Sequence, residues 1–131
     1  MTALYAFTRR EDGPGNTIAA AHVNELQAAI EPLQATTAVD ATYTILSTDD
    51  TVIGDASSLA FTATLPTAVG IPGKRYTIKR ISASNNVTLA GDGSETIDGA
   101  ATKALTTQYA FLTVQSDGTE WHIVASGGTI T

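Results

Sequence analysis

The sequence predicts a mainly β protein, a sandwich or small barrel, preceded by a short arm and one helix. Three observations predict it. From Ala41 onward, apolar and polar residues alternate with a period of two in short runs. Asp92-Gly93, Asp98-Gly99 and Asp117-Gly118 are turn dipeptides set between those runs. Ahead of them, "GNTIAAAHVNELQAAIEPLQ" at residues 15–34 has helical spacing instead.

Residues 1–15 show no clean period. Leu4, Tyr5 and Phe7 precede the charged cluster Arg9 to Asp12 and a "GPG" breaker. An arm this short cannot bury three large apolar groups by itself, so it either folds back on its own domain or docks into another protein.

Residues 16–40 read as a helix and linker. Thr17 supplies a hydroxyl for an unpaired N–H of the first turn, and Pro32 disfavours helical geometry at Glu31. Ala19, Val23, Leu26, Ile30 and Leu33 recur as a heptad seam, with Val23 and Ile30 at a and the others at d. The flanking e and g positions carry no opposing charges, which widens the contact beyond two strands. β-branched residues at a with Leu at d favour a parallel pair. About two heptads do not settle the number of helices, and they are too few to be stable in isolation. The seam therefore needs at least one more helix.

Residues 41–126 read as the β domain. "TYTILS", "LAFTATL", "RYTIKRI", "NVTLAG", "QYAFLTVQS" and "EWHIVAS" are its main strand candidates, with shorter ones at "TVIGD", "ETIDG" and "KALT". "VQSDGTEWHIV" reads as a closing hairpin around a core at Trp121, with Tyr43, Phe61 and Ile78 as candidate neighbours. Seven to nine short strands at this spacing indicate a sandwich or barrel. Residues 127–131 read as a flexible tail.

Composition narrows the function. Hydrophobic residues make up 43% of the 131, so a packed core is expected. Charged residues are only 15%, which suits surfaces that face other protein as well as water. The net charge of −6 repels phosphate backbones and argues against nucleic acid. No apolar run approaches the roughly 20 residues of a membrane span, and no secretion signal is visible, so synthesis in a host cytoplasm is expected. With no cysteine, no disulfide holds the fold.

Four bases cluster at Lys74, Arg75, Lys79 and Arg80. Solvated strand edges are the commoner explanation for such a cluster; a glycan or other anionic contact is the alternative. His22 and His122 stand in different elements, and no nucleophile motif, metal motif or phosphate loop accompanies them, so neither catalysis nor a cofactor is expected. In "GDGSETIDG" the spacing of Asp92, Glu95 and Asp98 matches neither an EF-hand nor a calcium repeat. The loop reads as turn chemistry, with Glu95 facing water.

These residues resemble a known group. "TATLPTAVGIPGKRYTIKRISASNNVTLAGDGSETIDG" followed by "YAFLTVQSDGTEWHIV" is similar to the β domain of fibre and spike proteins of tailed bacteriophages. "GNTIAAAHVNELQAAI" resembles the helical stretch ahead of such domains, and together they cover about residues 15–126. The resemblance implies a parallel homotrimer, with Val23, Leu26, Ile30 and Leu33 meeting on the threefold axis. A chain of this length without shaft repeats suits a small capsid decoration or head-fibre spike. On that expectation Leu4, Tyr5, Phe7, Arg9 and Arg10 anchor it to a capsid or tail adaptor protein. A short tail adhesin that binds host surface glycan is the alternative reading. A carbohydrate-active enzyme is the weakest.

Overall fold

Alternation becomes strand wherever one face of a run has apolar partners to cover it. The computed structural model describes residues 34–131. Arm residues Leu4, Tyr5, Phe7, Arg9 and Arg10, and seam residues Ala19, Val23, Leu26, Ile30 and Leu33, lie outside the described residues.

Nine strands form among the described residues: β1 (Thr36–Val39), β2 (Tyr43–Thr44), β3 (Thr51–Gly54), β4 (Phe61–Thr64), β5 (Arg75–Arg80), β6 (Val87–Ala90), β7 (Thr102–Leu105), β8 (Phe111–Ser116) and β9 (Trp121–Gly127). They build two sheets, a five-stranded one in the order β1-β3-β5-β8-β9 and a four-stranded one in the order β2-β4-β6-β7. From β1 to β6 the chain alternates between the sheets. Neighbours in each sheet are therefore parallel, since a strand in the opposite sheet acts as the crossover that parallel pairing requires. The later pairs β5/β8, β6/β7 and β8/β9 are antiparallel.

The core lies between the inward faces. Val52, Tyr76, Ile78, Leu112, Val114 and Trp121 come from the larger sheet, and Phe61, Ala63, Val87, Leu89 and Leu105 from the smaller; all are buried. Trp121 is fully enclosed, its ring 5.6 Å from that of Tyr76, and its indole N–H donates to the Pro66 carbonyl at 3.3 Å. Of its expected neighbours, Phe61 and Ile78 are in the buried cluster, and Tyr43 packs against it half-buried.

Turn chemistry follows the sequence closely. Asp98 and Gly99 both have positive φ (49° and 80°), and Ile97 and Ala100 exchange backbone bonds across them, the geometry of a two-residue turn. Asp117 opens the β8–β9 turn, its carboxylate accepting the N–H groups of Thr119 and Glu120.

Two boundaries differ from the sequence reading. β1 lies inside the stretch read as linker, and Thr37 there donates to the buried Asp49 at 2.5 Å. At the other end, β9 runs to Gly127, and the tail is bonded to β7: Thr131 and Ala104 exchange bonds of 2.9 and 3.0 Å. Small uncharged residues carry no alternation signal, yet their backbones pair as well as any.

Candidate functional site

β5 sorts the four clustered bases. Its alternation turns Tyr76, Ile78 and Arg80 to the core and Arg75, Thr77 and Lys79 outward. Arg80 is 1% exposed. Its guanidinium donates to the carbonyls of Ser82 (2.8 Å) and Leu105 (3.2 Å) and to the Asn86 side-chain oxygen (3.3 Å). It is a structural bridge between the sheets, and its burial leaves it no exposed face for the glycan or anionic contact given as the alternative reading. Nor do these bases guard a sheet edge, because β5 is the central strand of five.

Lys74 is also committed internally. Its ammonium lies 3.5 Å from an Asp50 oxygen, donates to the carbonyls of Ser47 and Asp49 at 3.3 Å, and sits 4.7 Å from the Tyr76 ring centroid. The Tyr76 hydroxyl is buried with no hydrogen-bond partner among the described residues. Burial, with the nearby Asp49 and Asp50 charges, pushes its pKa up. Arg75 is exposed and donates to the Gln115 side-chain oxygen at 2.9 Å across the β5/β8 pair.

Lys79 has different company. Its ammonium donates to the Tyr109 carbonyl at 3.0 Å and lies 5.7 Å from both the Tyr109 and Phe111 ring centroids. Tyr109 is 59% exposed and holds φ at 65°, a conformation that costs a non-glycine residue about 1–2 kcal/mol. Phe111 is half-buried over Gly127, where a Cβ would run into the ring. Two aromatic faces beside one ammonium suit a ligand with both an apolar face and an acceptor group. Sequence reading named Lys79 but not Tyr109 or Phe111. The aromatics are 30 residues or more away along the chain, and only the β5/β8 register brings them together.

A second polar cluster joins the turns at one end of β9. His122 Nε2 is 2.7 Å from an Asp117 oxygen, and Nδ1 is 3.6 Å from Asp98, which also accepts the Ile123 N–H at 3.1 Å. The bond to Asp117 raises the His122 pKa above its ordinary value. Asp117 is held well below the usual carboxylate range, mainly by the Glu120 N–H and then by His122.

Glu95, expected to face water, is half-buried and also bonded inward. Its carboxylate accepts the Thr67 hydroxyl at 2.5 Å and the Ala68 N–H at 2.8 Å, pinning the loop after β4. Among the described residues no group of three or more His, Cys, Asp or Glu could hold a metal ion, and no helix is long and apolar enough to cross a membrane. Asp49, unremarked in the sequence, is a buried hub. Burial disfavours its charge, but hydrogen bonds from Thr37, Leu46 and Tyr43 outweigh that and lower its pKa.

Compared with known proteins, the chain matches no family model and no curated relative.

Proposed function

We propose that the chain is a structural virion protein, a trimeric capsid decoration or head-fibre spike displayed on a tailed phage. The observation that carries this reading is the seam Ala19, Val23, Leu26, Ile30 and Leu33. It is too short to be stable alone and needs at least one more helix, which the phage resemblance implies is the same seam in sister chains. The two-sheet β domain fits the knob of such a spike, and the phage resemblance supplies the count of three. Leu4, Tyr5, Phe7, Arg9 and Arg10 form the anchor, with apolar groups in pockets of a capsid or tail adaptor and the arginines at the rim. Three arms binding together convert modest single-arm affinity into durable attachment.

The test has two steps. Native mass of the purified chain should be three times 13.5 kDa, and Leu26→Asp should abolish it by setting a charge among apolar groups. Deleting residues 2–12 should leave the trimer folded but unable to co-sediment with particles that lack the protein. A monomeric wild type, or normal decoration by the truncated chain, overturns the assignment.

One observation favours the adhesin reading. The exposed Tyr109 ring beside Lys79 is a surface on which the apolar face of a sugar stacks while the ammonium meets a carboxylate or hydroxyl. On that reading Tyr109→Ala abolishes binding to host surface glycan while the trimer persists.

A further inference from the structure

The two sheets finish their edges differently. In the four-stranded sheet, β2 is only two residues long, and β7 is covered by the tail, where Thr131 pairs with Ala104 and Thr106 donates to the Thr129 carbonyl at 3.0 Å. In the five-stranded sheet, β1 and β9 form the edges. The first half of β9 is occupied: Trp121 bonds to Thr96 and Asp98 through its backbone, and the Ile123 N–H donates to the Asp98 carboxylate. Beyond it, Val124, Ala125 and Ser126 are exposed, and none of their backbone groups bonds outward among the described residues.

Among the described residues both edges are open, and neither carries charge or proline. Thr36–Val39 and Val124–Gly127 are four residues each. The bulge opposite Thr113 and Val114 falls on Val124, the first residue of the open stretch, and register is regular from Ala125 to Gly127.

The pairings also place the two edges at matching heights. One row runs Thr36, Thr51, Thr77, Thr113, Ala125, and two residues on another runs Ala38, Ile53, Lys79, Phe111, Gly127. β1, β3 and β5 are parallel, and two antiparallel steps follow, so β9 points the same way as β1. Rotation about an axis along the strands changes neither direction nor height.

We infer that Val124–Gly127 of one copy pairs in parallel with β1 of the next, so that three five-stranded sheets close into one ring. The number three rests on the trimer proposed above; the pairing of unlike edges rests on strand direction and row height. Two copies related by a twofold axis perpendicular to the strands would instead join like edges antiparallel. Parallel addition to an open sheet edge supplies main-chain hydrogen bonds without needing large apolar side chains, which suits edges made of Thr, Ala, Ser and Gly.

The absence of cysteine makes the inference directly testable. Thr36 and Ala125 are exposed, so replacing them leaves the core intact. Within one copy they sit four strand spacings apart, about 19 Å, beyond the roughly 7 Å limit for a disulfide. Under mild oxidation, T36C/A125C should give a covalent trimer on a non-reducing gel, while each single variant stays monomeric there. A38C/A125C tests a stagger of one pair. Native trimers that cross-link in neither double variant overturn the edge pairing and leave the trimer standing. Covalent dimers from T36C alone overturn it in favour of twofold pairing, and a monomeric native mass removes both.

Discussion

Replacing Arg80 separates a surface charge from a buried bridge more sharply than any other substitution in this domain. The guanidinium joins the carbonyl after β5 at Ser82 to the end of β7 at Leu105, and thus one sheet to the other. None of the ion pairs among the described residues includes it. Arg80→Ala strands two acceptors, each costing about 1–3 kcal/mol when buried without a partner. Losing the two stem methylenes beyond Cβ removes roughly 1.6 kcal/mol of burial. Relief from desolvating the cation acts in the opposite sense, so a net loss of about 3 kcal/mol is expected. Arg80→Met keeps the stem, so its cost should be smaller by about 1–2 kcal/mol. Urea unfolding followed by Trp121 fluorescence measures both. A loss within the ~0.5 kcal/mol typical of surface substitutions would refute the bridge and restore Arg80 to the outer surface.

Trp121→Ala should cost about 3–5 kcal/mol, because the ring is fully enclosed and its removal leaves a cavity against Tyr76; circular-dichroism unfolding with a loss below about 1 kcal/mol would contradict the packing. His122 should titrate above 6.5 by NMR, and Asp117→Asn should lower that midpoint. Because its folded pKa is raised, the stabilisation from His122 is fully present below its unfolded value and is lost as pH rises through the folded one. The Asp117 contribution has the opposite sense, present above the ordinary carboxylate value and lost as pH falls through its lowered one. A midpoint for His122 at or below 6.5 would mean that the pair does not form in solution.

Local features of the fold were legible in the sequence. The Asp98-Gly99 and Asp117-Gly118 turns were readable because each needs only its own residues to accept a positive φ or a side-chain bond. The burial of Trp121 followed from strict alternation in the last hairpin. Parallel pairing was not legible, because Thr36 and Thr51, or Val52 and Ile78, lie 15 to 26 residues apart with nothing in their identities to set the register. β1 was missed because "TTAV" has only one large apolar residue. Arg80 is a different case. It shares parity with Tyr76 and Ile78, so the alternation itself points inward, against the usual preference of a charge for water. The Lys79 site was half legible, since its aromatic partners depend on β8 lying beside β5.

The low charge of the chain finds a physical reason in the outward face of the larger sheet. Its central row is threonine from Thr36 through Thr51 and Thr77 to Thr113, and Thr77 and Thr113 hydroxyls bond to each other at 2.8 Å. Threonine favours strands through its branched Cβ, while its hydroxyl satisfies itself within the sheet. A face built this way spends little on side-chain ordering and needs no bulk water to satisfy it. Lys and Glu in the same positions would keep the sheet soluble but would repel or desolvate poorly against a neighbour. The threonine row and the two open edges thus share one chemistry, small and uncharged, whereas the carboxylates of Asp49, Glu95 and Asp117 are held in internal bonds. Charge in this domain is used to fix turns and cross-links, and the surfaces left to neutral residues are those suited to meeting another protein.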